Sequence, residues 1–359
     1  VARVVVISTG GTIASRWQGS GFAAEAGGRD VMAAAPVPEG VTVEVVDLFT
    51  VNSSRLTTAH QLTLVRTVHE VLADPGVTGV VVTHGTDTLE ESAFLVDLHH
   101  GDPRPVVFTG AQRPLDSPDG DAAGNLHDAL LTAASPAARG LGALVVFDGR
   151  IHAARGTVKT HTLAADAFAD PSAPRIGHTG FGSITVQRRP HRPQPLPLPA
   201  PLTGPAPRID LVMHHCDADP VLLDASVAAG ARGLVLVGAG AGNATPEFAG
   251  AVAAAVSAGV LVAVTTRVPA GPVAEIYTGG GAVDLAAAGA VLTGTLRAGQ
   301  ARTAVLATLL AGVPAAERPA LLRGLTGPHH PPAALPSPAQ TPAQTRPRTP
   351  ATGASLTAA

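Results

Sequence analysis

Gly79-Val80-Val81-Val82-Thr83-His84-Gly85-Thr86-Asp87-Thr88-Leu89-Glu90-Glu91 is the stretch whose reading decides the fold. Its valines are continuous rather than alternating, the pattern of a strand buried on both faces, as in a parallel sheet covered by helices. Thr88-x-x-Glu91 reads as a capping box that opens the next helix. Thr86 and Asp87 are left between strand and cap. That is the carboxyl end of the strand, where open α/β sheets bind their ligands. A hydroxyl beside a carboxylate suits holding an amino group and positioning a water; the plainer alternative is that both residues only help to cap the helix.

The same alternation extends in both directions. Strands are expected at 3–7, 41–48, 79–83, 105–109 and 142–147, and helices at 57–72, 89–99 and 122–134. This order predicts a large doubly wound, mainly parallel α/β domain over residues 1–189. Eight prolines between Pro190 and Pro207 then mark an extended, semi-rigid linker at 190–207. Strands at 209–214, 233–237 and 260–264, with helices at 220–229, 246–258 and 300–311, predict a smaller, flavodoxin-like α/β domain over 208–326. Residues 327–359, rich in Pro, Ala, Thr and Ser without a period, read as a disordered tail.

Composition narrows the function. Hydrophobic residues make up 45% of the 359 positions and aromatics only 3%, so the core is built from Val, Leu and Ala. The net charge is -3 and no basic patch stands out, which argues against nucleic acid as the main partner. The apolar run from Phe248 to Val264 has the length of a membrane span. Thr245-Pro246-Glu247 opens it like a helix, however, and Gly259 stops it, so a buried helix and a strand are expected, and no membrane association. No charged segment and apolar stretch precede the strand at 3–7, so no leader is read there; a cytoplasmic location is expected, with secretion left open. The single cysteine, Cys216, reads as a small core residue. The histidine pairs at 99–100, 214–215 and 329–330 lack ligand spacing, and no metal site is expected.

Two further features carry chemistry. The first strand ends in Ser8-Thr9-Gly10-Gly11-Thr12-Ile13-Ala14. It lacks both the dinucleotide fingerprint and the P-loop lysine, which leaves a hydroxyl at Thr12 beside free backbone N–H groups, or else an ordinary turn. Lys159 is the only lysine in the chain. An arginine-biased chain can usually use arginine where a fixed surface charge is enough, but not where a group must give up its proton; the plainer alternative is one codon that escaped the bias. With Thr86 as hydroxyl and Asp87 as orienting acid, Lys159 completes a nucleophile–base–acid set.

Thr9-Gly10-Gly11-Thr12-Ile13-Ala14 and His84-Gly85-Thr86-Asp87-Thr88 resemble the two signature motifs of the bacterial-type L-asparaginase family, which includes the asparaginase-glutaminases. The similarity continues through Gly110-Ala111-Gln112-Arg113-Pro114, Asn125, Lys159 and Arg267-Val268-Pro269, and covers roughly residues 3–312. The resemblance implies cofactor-free hydrolysis of the side-chain amide of L-asparagine. Thr12 would be the nucleophile, Thr86, Asp87 and Lys159 its catalytic companions, and Gly11, Ser53, Ser54, Thr86 and Asp87 the substrate contacts. It also implies a homotetramer built as a dimer of dimers, with Asn243, Glu275 and Tyr277 as candidates for a neighbouring subunit's contribution. L-Glutamine is the second substrate it suggests, and a non-catalytic amino-acid-binding homologue is the rival from another class. Two departures bear on mechanism. Phe22 stands where family members carry a loop tyrosine, which leaves Tyr277 as the only tyrosine, and Ser54 stands where many have glutamine.

Overall fold

The computed structural model describes residues 1–327 apart from 18, 34, 115 and 116, and gives the backbone alone for 17 and 22–24. The expected tail therefore lies almost wholly outside the described residues.

Eight strands form one sheet: β1 Ala2–Ser8, β2 Val41–Asp47, β3 Gly79–Thr83, β4 Val106–Thr109, β5 Ala143–Phe147, β6 Arg150–Ala153, β7 Gly177–Gly180 and β8 Ser183–Val186. Their spatial order is β8-β7-β6-β5-β4-β3-β1-β2. The five strands from β5 to β2 run parallel, and β6, β7 and β8 continue antiparallel. Those last three strands are absent from the sequence reading. Arg150-Ile151-His152-Ala153 and Gly177-His178-Thr179-Gly180 are short and broken by polar residues, the second also by glycine, so they lack the apolar run that marks a doubly buried strand.

Successive side chains of a strand leave on opposite faces. Val5, Ile7, Val80, Val82 and Phe108 therefore enter one core with Leu62, Leu64 and Phe94. Val4, Val6, Val81 and Val107 enter another with Leu126, Leu130 and Leu144. The helix Thr58–Leu72 is capped by Thr57, whose side chain accepts from His60 N while His60 accepts in return from Thr57 N.

A second sheet holds four parallel strands in sequential order: β9 Ile209–Met213, β10 Gly233–Gly238, β11 Leu261–Thr266 and β12 Val291–Leu292. The apolar run after Thr245 is the helix Pro246–Ser257 followed by β11, and among the described residues no helix is long and apolar enough to cross a membrane. The helix Ala298–Leu310 packs on Leu89–His99 and on the second sheet, so its Val305 and Leu306 share one core with Phe94 and Val235. Cys216 is exposed, contrary to the core placement expected: β9 is an edge strand that ends at Met213, and the chain turns outward after it.

The proline-rich segment is extended but strapped down. Leu196 N donates to Leu98 O at 2.8 Å, and Arg192 pairs at 2.8 Å with Asp97, a carboxylate buried at the end of the helix Leu89–His99. The fixed φ of proline keeps the segment extended, and Arg192 supplies the partner a buried acid needs.

Candidate active site

The register of the parallel strands sets the site. Ser8 pairs with Asp47 and Thr83, and Thr83 pairs with Thr109, so the loops after β1, β2, β3 and β4 start level at one sheet edge. Glycine then allows them to touch. A Cβ on Gly11, whose φ is +87°, would lie 2.2 Å from Gly85 Cα, and one on Gly85 would lie 2.6 Å from Ser53 Oγ. Only glycine fits such an approach of backbone to backbone. Thr9 secures the first loop by donating from N and from Oγ1 to Thr83 O.

A cavity of about 390 Å3 opens on this junction, within the size range of small-ligand sites. It is lined by Gly11, Thr12, Ser53, Ser54, Asp87 and Gln112, among others. Thr12 opens a 3-10 turn, Thr12–Ala14, and is half-buried. Ser53 is buried in the turn Ser53–Arg55, where its Oγ accepts from Asp87 N at 3.1 Å and its carbonyl accepts from Thr88 Oγ1 at 2.9 Å. The expected capping box is corrected here. Thr88 occupies the N-cap position without a side-chain cap bond, because its hydroxyl is spent on Ser53. Glu91 instead lies 3.6 Å from Arg302.

Thr86 is buried, and Lys159 Nζ donates to its Oγ1 at 2.8 Å. The same ammonium lies 3.7 Å from Asp87 Oδ1, so the three residues singled out in the sequence converge. Lys159 sits in a two-residue strand, Val158–Lys159, paired with Phe168–Ala169. Its backbone N donates to Glu90 Oε2 at 2.6 Å, and burial pushes the Glu90 carboxyl up to about 7, with Glu91 adding to the rise. Gln300, fully buried on the helix Ala298–Leu310, accepts from Gly156 N at 2.8 Å and donates to Ala154 O at 2.8 Å and Thr157 O at 3.0 Å. One amide thus fixes the approach to Lys159.

His84 is buried between Gly85 O and Ser92 Oγ, at 2.7 and 2.9 Å. Burial lowers its pKa to about 4, so it holds the loop as a neutral ring.

The sequence reading passes over three positioning groups: Glu90, Gln300 and Gln112. Glu90 reads as an ordinary first-turn acid and Gln300 as one polar residue in a helix, so neither carries a local signal. Gln112 sits at the open position of Gly110-Ala111-Gln112-Arg113-Pro114. Its N donates to both oxygens of Asp121, at 2.9 and 3.2 Å, and Asp121 is held in turn by Asn125 Nδ2 at 3.2 Å. Its Nε2 is buried without a hydrogen-bond partner and its residue lines the cavity. An unpaired buried amide in a cavity wall is a waiting donor.

Asn243, Glu275 and Tyr277 do not line this cavity. Asn243 is hooked back to Ala239 through its backbone, and its Oδ1 is buried without a partner. Glu275 and Tyr277 are exposed. Phe22 lies on the strand Phe22–Ala24, its backbone opposite Trp17, and its ring is outside the described side chains.

Residues 3–192 match the model of the asparaginase N-terminal domain, and residues 208–321 match that of the glutaminase/asparaginase C-terminal domain. The chain belongs to the asparaginase family. An L-asparaginase of Bacillus licheniformis is 36% identical over 293 residues, 81% of this chain and 90% of that protein. A "Probable L-asparaginase" of Deinococcus radiodurans is 37% identical over 315 residues, 86% of this chain and 94% of its own length. The crystal structure of a "Probable Cytoplasmic L-asparaginase" from Campylobacter jejuni superposes with a TM-score of 0.82 at 27% identity, covering 90% of this chain and 99% of that one. The asparaginase fold thus accounts for both sheets.

Proposed function

We propose that this asparaginase-family protein hydrolyses the side-chain amide of L-asparagine to L-aspartate and ammonia. The observation that carries the reading is Lys159 Nζ at 2.8 Å from Thr86 Oγ1 and 3.7 Å from Asp87, beside the cavity that holds Thr12. An amine aimed at a buried hydroxyl suits proton transfer.

In this mechanism the Thr12 oxygen attacks the amide carbon. The carbon–nitrogen bond breaks, the leaving nitrogen takes up the proton that Thr12 gives up, and ammonia departs. A water held near Thr86 and Lys159 then attacks the threonyl ester, releasing aspartate and restoring the Thr12 hydroxyl. Asp87 binds the substrate's α-ammonium, Ser53 and Ser54 its α-carboxylate, and the Gln112 amide donates to the same substrate. Backbone N–H groups at the Thr12 turn stabilise the tetrahedral oxyanion.

The site is completed in a homotetramer of intimate dimers, where a neighbour brings Asn243, Glu275 and Tyr277. The exposed Glu275 and Tyr277 and the unpaired Asn243 Oδ1 support this reading. A cytoplasmic setting is proposed by likeness to the Campylobacter protein. A broader glutaminase-asparaginase is the second reading, favoured by the short side chain at Ser54, which leaves room beside the carboxylate contact.

The test is ammonia release from L-asparagine and L-glutamine. Thr12→Ala is expected to lower turnover about a thousandfold or more, since it removes the nucleophile. Lys159→Arg should be severely impaired, because a guanidinium keeps its proton. If the folded parent binds L-aspartate in a titration yet releases no ammonia from either amide, the binding-protein reading replaces this one.

A further inference from the structure

A second cavity, of about 190 Å3, shares no lining residue with the first. Its walls include Gly156, Thr157 and Asp170, which run directly into the paired strands Val158–Lys159 and Phe168–Ala169. It is a separate chamber beside the hairpin that carries Lys159.

His152 is the buried group in this chamber. It is 5% exposed on β6, and neither ring nitrogen has a hydrogen-bond partner. Burial first, and then Arg150 and Arg175, lower its pKa to about 4, so the ring is neutral and offers one N–H donor and one acceptor. An imidazole buried without partners is costly unless something fills the space in front of it.

The surrounding charge indicates what that something is. Arg155 lines the chamber with its guanidinium nitrogens on Leu325 O and Thr326 O, and the Asp170 carboxylate of the same lining acts on its charge. Arg188 and His191 line it as well, both exposed and without a side-chain partner among the described residues. Asp170 is the one acid in the lining; burial pushes its carboxyl up, and its Oδ1 accepts from Ser172 N at 2.8 Å. Asp170 acts on Arg155 and Arg297, which leaves Arg188 as the lining arginine without an acid partner among the described residues, and the space is small.

We propose that this chamber is a binding site for one small oxyanion, a carboxylate or a phosphate, held by an N–H of His152 and by the Arg188 guanidinium. Planar groups such as guanidinium pair with both kinds of anion, and a neutral imidazole adds direction without further charge. Nothing in this assignment depends on the amide-hydrolase reading, since the site lies outside the Thr12 cavity and its occupancy is measured without turnover.

The full-length protein is titrated calorimetrically at constant ionic strength with sodium phosphate, sulfate and acetate, alongside thermal unfolding. One saturable ion per chain and a raised melting midpoint are expected. A preference for acetate over the tetrahedral ions assigns a carboxylate ligand, and the reverse assigns a phosphate. Arg188→Ala, on an exposed side chain that leaves the fold intact, and His152→Leu should each weaken binding by about tenfold or more, the effect of losing a hydrogen bond to a charged group. Thr12→Ala should bind like the parent. Absence of saturable binding of all three anions by the parent overturns the proposal. So does binding that survives both chamber variants, or that is lost in Thr12→Ala.

Discussion

Gly11 and Gly85 meet at a contact that admits no side chain, and this contact brings the two signature loops together. Gly11→Ala would force a Cβ to within 2.2 Å of Gly85 Cα at a φ of +87°. A cost of about 1–3 kcal/mol or more is expected, with loss of amide hydrolysis, measured by denaturant unfolding and ammonia release. Gly124 gives the opposite sign. It lies inside the helix Ala122–Ala134 with nothing within 4 Å of its added Cβ, so Gly124→Ala should stabilise by about 0.5–1 kcal/mol. At the cavity wall, Gln112→Ala should raise KM more than it lowers kcat if the amide binds substrate in its ground state, and unchanged kinetics would remove Gln112 from the site. Gly11, Thr12, Thr86 and Asp87 were legible in the sequence because they lie in contiguous motifs. Gln112 was not, because its meaning is an unpaired amide in a particular wall.

Between residue and fold stands the joint of the Lys159 strand, Glu90 and Gln300. Glu90 opens the helix Leu89–His99, and its carboxylate receives Lys159 N at 2.6 Å. Its ordinary pKa of 4.5 is raised to about 7 by burial. Between those values the folded chain keeps a proton that the unfolded chain gives up. The stability from this group is therefore full below about pH 4.5 and is lost as pH rises through about 7. Glu90→Gln keeps an acceptor for Lys159 N and removes the titration. Its melting midpoint should fall less than the parent's between about pH 5 and pH 8, as read by calorimetry; equal slopes would refute the burial argument. The lone lysine was visible in composition, but the two side chains that hold its strand come from helices far along the chain, and no local pattern announces them.

For the whole molecule, a single core joins the two sheets. Leu306, fully buried, packs in the same cluster as Phe94 and Val235. Leu306→Ala should cost about 2–5 kcal/mol and lower one calorimetric transition as a whole. Two separated transitions would show that the sheets unfold independently. The proposed oligomer has its own test. If Asn243 serves a neighbour's cavity, mixing Thr12→Ala with Asn243→Ala chains after dissociation should restore part of the amide hydrolysis that each lacks alone. Failure to recover activity in a verified hetero-oligomer would place Asn243 outside catalysis.

The sequence by itself determined the alternation of strands and helices, the parallel sheets and the family. Buried valine runs and glycine-threonine motifs are local signals whose physical meaning survives without coordinates. Tertiary structure alone decided the antiparallel extension of the large sheet, the use of Thr88 on Ser53 rather than on its own helix, the strapping of the proline-rich segment by Arg192 and the support of Lys159 by Glu90 and Gln300. The turns at 147–150 and 180–183 are local hairpins, but the joining of β6 to β7 and each of the other features depends on a hydrogen bond or ion pair between residues far apart in the chain. Such a contact forms only after the sheets and helices have packed and buried polar groups have had to find partners.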